Sequence, residues 1–335
     1  MGGKALKNLE VPTRRYNKDE FDVVSTEIIE KIKNDFKAVG MPLFYKKKET
    51  FGDVDIVISM EDFNHNMRDY ITEHFKPNEI FHNGDCWSFD YKELQVDFIT
   101  VSGENFDSLL NYLNFNDLGN FIGKIAMGFG CKYGQQGLWV EHYFKGTNLG
   151  KIILSKDPKK MLEFLGLSYE RYQEGFDELV DIFKFISASP YFNWEKVQLE
   201  NNNKVNRDRD KKRNTYQEFL KWIDENVRDD AHNYQTEKDK TLYYDKINEA
   251  FPEANLQMEV RRLEYEYCRE LYIKSKFNGG EVMRRYGLQG KELGDAISTF
   301  KKINGSLFPN ETYEDYIIKT PTKEIYDDFE LFLKK

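Results

Sequence analysis

Asp53 and Asp55 stand two residues apart in TFGDVDIVI (residues 50–58), with Val54, Ile56 and Ile58 on the other parity. Side chains of a β-strand repeat direction every two residues, so this alternation predicts a strand that carries both acids on one face. Their Cα atoms would be roughly 6.5–7 Å apart at the usual rise. LQVDFIT (94–100) repeats the pattern, with Asp97 inside a Leu94, Val96, Phe98 alternation. If the two strands pair, three carboxylates meet on one face; the alternative for an isolated acid pair is a sheet edge turned to water. At ~4 Å and an effective dielectric of ~20, each pair of charges costs about 4 kcal/mol, and a hard cation relieves that cost. Magnesium accepts carboxylate oxygens and leaves positions for substrate phosphates, and two such ions clamp the attacking and leaving oxygens of an in-line phosphoryl displacement. The residue types therefore point to metal-assisted phosphoryl transfer, with Asp53, Asp55 and Asp97 as ligands and two Mg²⁺ ions, or Mn²⁺ in their place, as cofactor. Gly52, just before the first acid, lets the backbone approach a ligand closely.

The elements that must position these acids read as a mixed fold. Residues 19–37 carry Phe21, Val24, Ile28, Ile32 and Phe36 at helical spacing, with Asp19 as the cap. YITEHF (70–75) closes a helix expected to begin near Glu61. CWSFDYKELQVDFITV (86–101) predicts two strands joined by a turn at Lys92–Glu93. From residue 104 onward strands are expected to fade. The glycine-dense 123–140 reads as a turn between a helix and a short strand, and 157–189 as two or three short helices with Pro158 in a first turn. Polar 201–214 reads as a loop or an exposed helix start, and YQEFLKWIDENV and NLQMEVRRLEYEYCRELYIKSKF as amphipathic helices. The expected class is α+β: a mixed-sheet head followed by a mainly helical body. The expected division is an N-terminal helical segment (1–38), a catalytic domain (39–150), a helical domain (151–275) and a C-terminal helical domain (276–335).

Bulk properties narrow the class. The 335 residues are 40% hydrophobic and 15% aromatic, which suits a globular chain with a real core. A net charge of −9 argues against a uniformly cationic surface, yet nucleic-acid affinity follows the local patch. Three scattered cysteines without a CxxC fit a reducing compartment. No apolar run reaches the length of a membrane span, and MGGKAL has neither a signal-peptide core nor the Ser/Thr that myristoylation prefers, so a cytoplasmic protein is expected. HExxH, the P-loop and the G-x-S-x-G elbow are missing from the sequence.

GDVDIVI, followed 42 residues after Asp55 by VDFI, resembles the nucleotidyltransferase superfamily of family X (polymerase β-like) DNA polymerases, CCA-adding enzymes and poly(A) polymerases. The resemblance implies that Asp53 and Asp55 bind both metals. It implies that Asp97 binds the catalytic metal beside an attacking 3′ hydroxyl, with a nucleoside triphosphate as donor. One departure is plain. The Gly-Ser pair that holds the triphosphate in that family falls here on Pro42–Leu43, with Gly40–Met41 the nearest substitute. Lys46, Lys47 and Lys48 offer a replacement grip, since ammonium groups bind phosphate as point charges; the alternative is a solvated hairpin tip. Lys124, Lys132 and Tyr133 fall where the superfamily makes sugar and base contacts, and ordinary turns are the alternative. Residues 1 to about 215, including the MGGKAL…PTRRY opening, are similar to nucleotidyltransferases of large tailed phages, which would put the protein in a bacterial host's cytoplasm.

The acceptor is the less determined half. Lys204, Arg207, Arg209, Lys211, Lys212 and Arg213, followed by Tyr216 and Trp222, suit a phosphate backbone with stacked bases, or else a solvated surface. Gly280, Gly287, Gly290 and Gly294 match a glycine pattern in the C-terminal helical region of bacterial CCA-adding and poly(A) polymerases. The acidic-Arg neck motif of the CCA-adding group has only EVRRLEYEY (259–267) as a partial counterpart. The expectation is nucleotide addition from NTP to a 3′ hydroxyl of RNA, with a tRNA end as the favoured acceptor. The alternatives are a small family X-like DNA polymerase and a nucleic-acid-binding protein with a degenerate active site.

Overall fold

The computed structural model describes residues 5–10, 12–306 and 312–334. The first four residues of the MGGKAL opening and residues 307–311 of the tail lie outside the described residues. The chain divides into two compact units, Met1–His142 with Lys151–Leu256, and Tyr143–Gly150 with Gln257–Lys335.

The first unit opens with β1 (Tyr16–Asn17) and α1 (Lys18–Ile32). The cap of α1 is Asn17, not Asp19. The Asn17 side chain accepts the Glu20 amide and the Glu20 carboxylate accepts the Asn17 amide, both at 3.0 Å. Asp19 falls instead in the first turn, where the helix dipole favours an acid. Next come β2 (Val39–Gly40), β3 (Thr50–Phe51), β4 (Asp53–Ser59) and α2 (Met67–Phe75). Helix α2 begins six residues later than the apolar pattern suggested. Asp62 takes a left-handed conformation (φ 65°), and Asn66 caps the amides of Arg68 and Asp69. After β5 (Ile80–Asn83), β6 (Cys86–Tyr91) and β7 (Leu94–Val101) form the expected hairpin. Lys92 and Glu93 take positive φ at its turn.

Five of these strands make one mixed sheet in the order β2-β4-β7-β6-β5, with β4 and β7 parallel and the other pairs antiparallel. Val54, Ile56 and Ile58 of β4 and Val96 and Phe98 of β7 point to one face. There they pack with Phe21, Ile28 and Ile32 of α1 and Tyr70, Ile71 and Phe75 of α2. Burial of these side chains, at roughly 1.5–3 kcal/mol each, locks the register, because a one-residue slip would bring the acids into the core.

α3 (Phe106–Leu113) and α4 (Leu118–Gly128) follow, then β8 (Cys131–Gly134), β9 (Gly137–Phe144) and β10 (Thr147–Ser155). These last three form a second sheet, ordered β10-β9-β8, where strands were expected to fade. Only Ile152, Leu154 and Ser155 of β10 are buried; Gly150 and polar residues fill most of its first half, and Ile152, Ile153 and Leu154 run together, so its sequence alternates too weakly to read as a strand. α5 (Pro158–Phe164), α6 (Tyr169–Glu174), α7 (Leu179–Ser187), α8 (Lys204–Asp210), α9 (Asn214–Asn226) and α10 (Tyr244–Ala250) complete the unit. The polar 201–214 stretch thus contains a short helix, anchored by the fully buried Asp210.

α11 (Leu256–Lys276) leads into the second unit, with α12 (Gly279–Tyr286), α13 (Gly290–Ser306), α14 (Tyr313–Lys319) and α15 (Thr322–Leu333). Phe277, Val282, Phe300, Ile317, Ile325 and Phe329 make its core. Gly287 (φ 70°) and Gly290 (φ 54°) bracket the joint between α12 and α13, where a side chain would be strained. The whole is α+β, a mixed-sheet head with a helical remainder. Among the described residues no helix is long and apolar enough to cross a membrane.

Candidate active site

The parallel register sets Asp55 opposite Asp97 and Asp53 opposite Gln95. All four share the face turned away from the α1/α2 core. Asp53, Asp55 and Asp97 each offer a carboxylate oxygen, and these atoms lie within 4.8 Å of one another. Asp53 and Asp55 keep solvent-accessible surface, while Asp97 is buried. Burial, then the charges of Asp53 and Asp97, push the Asp55 carboxyl up to about 8. Burial and the Asp53 charge raise Asp97 to about 6, although hydrogen bonds from Ser88 and Gln95 oppose the rise. A cluster that resists full ionisation by itself is a donor set of hard oxygens short of positive charge, and it fits magnesium or manganese.

Asp53 and Asp55 open into a cleft of about 1200 Å³. One wall is drawn from the segment Met41–Phe51, Lys46 excepted. The far wall is the start of α9 together with Arg209, Lys212 and Arg213. The three consecutive lysines are split. Lys46 pairs with Asp177 at 2.8 Å and Lys47 with Glu178, and both their amides donate to the 176–177 main chain. Lys47 and Lys48 both line the cleft, but the Lys48 ammonium lies over the rings of Phe51 (4.7 Å) and Phe44 (5.7 Å). Burial lowers its pKa, and the charges of Asp53 and Asp55 hold it up. Arg15, beside it in the cleft, donates to the Thr50 carbonyl at 2.9 Å and to the Thr50 hydroxyl.

Other expected contacts lie elsewhere. Lys124 is buried, 2.6 Å from Asn202 Oδ1 and 3.5 Å from Asp210 Oδ2, and does not line the cleft. Lys132 pairs with Glu141 at 2.7 Å on the β8–β9 ladder. Tyr133 packs edge-on against Tyr112. Among the cations of 204–213, Arg209 bonds Asp210 and Asn120, and Arg213 bonds Asp117, so helix α4 and its N-cap Asp117 hold both at the cleft. Lys212 lines the cleft, whereas Lys204, Arg207 and Lys211 do not.

No family model matches this chain, and no curated protein does. Among solved structures it is similar to a ternary gap complex of polymerase beta from Leishmania infantum, at 13% identity and a TM-score of 0.32. The match spans 40% of this chain and 53% of that polymerase, about half its length. So loose a superposition transfers no residue roles.

Gln95, Arg15, Asp210 and Glu218 do not stand out in the sequence. Gln95 has a signal there, an amide two residues before Asp97 and therefore on the same strand face. Arg15 and Glu218 have none, since only the β1–β3 pairing and the α9 wall bring them to the cleft.

Proposed function

We propose that this chain is a divalent-metal-dependent nucleotidyltransferase that adds nucleotide from an NTP to a 3′ hydroxyl, with RNA, and a tRNA end in particular, as acceptor. The observation that carries the reading is the meeting of Asp53, Asp55 and Asp97, the first two at a cleft whose other residues include Arg15, Lys48 and Lys212. Asp53, Asp55 and Asp97 would hold the cations. Once bound, magnesium supplies charge neutralisation and an electrophilic contact to phosphoryl oxygens. Lys48 and Arg15 meet the charge of the triphosphate in place of the missing Gly-Ser pair. The acceptor 3′ hydroxyl gives up its proton to solvent, its oxygen bonds to the α-phosphorus, and the bond to the leaving pyrophosphate breaks. Positioning and charge dominate such a reaction, so no nucleophilic side chain is required. The RNA acceptor rests on the glycine pattern of 280–294, whose Gly287 and Gly290 have positive φ at a helix joint.

Labelled NTPs and dNTPs, with Mg²⁺ or Mn²⁺ and both RNA and DNA primers, test this. Extension of RNA by NTPs is expected, and Asp97→Asn should lower turnover by about 10²–10³, the scale of losing one preorganised charge-stabilising group. Gap filling with dNTPs preferred would replace the RNA reading by a family X-like polymerase. Primer binding with no product under either metal would leave a binding protein with a dead site.

A further inference from the structure

Gln95 is 2% exposed and lies on the same strand face as Asp97, two residues away. Its amide nitrogen donates to both oxygens of Asp97, at 2.9 and 3.0 Å. Its amide oxygen accepts the main-chain N–H of Ala5 at 2.9 Å, across 90 residues of sequence. An N–H can only donate, so the Ala5 contact decides which end of the Gln95 amide faces Asp97. Were the amide turned over, its oxygen would confront a carboxylate. The segment that carries Ala5 is itself tied down. The Glu79 carboxylate accepts the amides of Lys7 and Asn8 at 3.0 and 2.9 Å, and the Asn8 side chain at 2.8 Å. The amide of Glu79 in turn donates to Asp90 at 2.8 Å, and Asp90 is the strand neighbour of Gln95 on β6.

We propose that Gln95 is a positioning residue for Asp97, and that the N-terminal segment at Ala5 acts as a strap that orients it. The inference rests on the reading of Asp97 as a cation ligand. Each Asp97 oxygen spends one lone pair on Gln95, Ser88 donates a further hydrogen bond, and the two together fix the carboxylate plane. A ligand left to rotate must lose that freedom when the cation binds. Groups that hold a metal ligand in this way typically contribute about 10–100-fold in metal affinity. Gln95 itself does not line the cleft.

The test is the Mn²⁺ dissociation constant of the full chain, by electron paramagnetic resonance, with thermal melting alongside. Four proteins are compared: wild type, Gln95→Leu, Ala5→Pro and the double variant. Ala5→Pro removes the N–H donor without touching Gln95, and the melting curve reports any effect of the fixed proline φ. Gln95→Leu should weaken Mn²⁺ binding by about 10–100-fold. Ala5→Pro should produce a smaller loss in the same direction with an unchanged melting midpoint. The double variant should match Gln95→Leu to within about twofold, because the strap acts only through Gln95. Wild-type affinity in a folded Gln95→Leu would overturn the proposal, as would losses that multiply in the double variant. If Gln95→Leu does not fold, unaltered affinity in Ala5→Pro overturns it instead. A wild-type protein that binds no Mn²⁺ removes the cation-site reading and the strap's role together. Wild-type binding combined with an insensitive Gln95→Leu removes the strap alone.

Discussion

Lys48 and its two neighbours separate local charge from useful charge. Lys46 and Lys47 are spent on Asp177 and Glu178, in exposed pairs that contribute little to stability. Lys48 faces the acids across the rings of Phe44 and Phe51. Lys48→Ala should therefore raise the nucleotide KM by about 10–100-fold, the scale of one charge-assisted hydrogen bond, and leave primer affinity unchanged. Lys46→Ala and Lys47→Ala should each stay within about twofold. Steady-state kinetics with varied NTP decides the point. The acids make a second demand, on pH. Their folded pKa values are raised, to about 8 for Asp55 and about 6 for Asp97, above those of an unfolded carboxyl. The folded state then binds more protons than the unfolded one. The contribution of these two acids to the stability of the metal-free protein should fall as pH rises from that of an ordinary carboxyl through about 8, and change no further above it. A cation competes with those protons, so the rise in melting midpoint on adding Mg²⁺ should be larger near pH 8.5 than near pH 6. Melting curves at both pH values, with and without Mg²⁺, measure this; an equal rise would contradict it.

At the scale of elements, the parallel β4–β7 pair creates the acid cluster and the contact between α8 and α4 shapes the opposite wall. Asp210 is fully buried and bonded by Arg209 at 2.9 Å, with the Lys124 ammonium 3.5 Å away. That ammonium also reaches Asn202 and sits 5.6 Å from the centre of the Tyr216 ring. A buried pair of this kind adds little over an apolar replacement, but removing one partner strands the other. Asp210→Ala should destabilise the first unit by about 3–5 kcal/mol in urea titrations. It should also free Arg209, and through it the cleft wall.

At the scale of the whole molecule, a chain of net charge −9 would need concentrated cations to bind the nucleic acid proposed above. Lys204, Arg207, Lys211 and Lys212 have no anionic partner among the described residues, whereas Arg209 and Arg213 are already engaged. Replacing those four with Ser should flatten the salt dependence of single-strand binding by about 0.7 in log K per log salt for each phosphate that is no longer neutralised. Replacing Arg209 or Arg213 should act on the fold instead. Filter binding across a range of salt, beside thermal melting, separates the two groups; an unchanged slope for the four would remove them from the nucleic-acid path.

What the sequence determined alone is local. The period-two alternation around Asp53, Asp55 and Asp97 follows from the geometry of one strand, and the Lys92–Glu93 turn from the short polar gap between two apolar runs. The helical spacing of α1, α9 and α11 is equally local. Tertiary structure decided everything that depends on which segments meet. The parallel register puts Asp55 beside Asp97, and it rests on a core shared by four elements. The division of Lys46, Lys47 and Lys48 was settled by acids at 177 and 178, more than 125 residues away. The burial of Lys124 was settled by Asp210, and the orientation of Gln95 by Ala5. A cation's role depends on its counter-charge, and an amide's on its donor. Both partners here are remote in the chain, so neither role was visible from the residue and its neighbours.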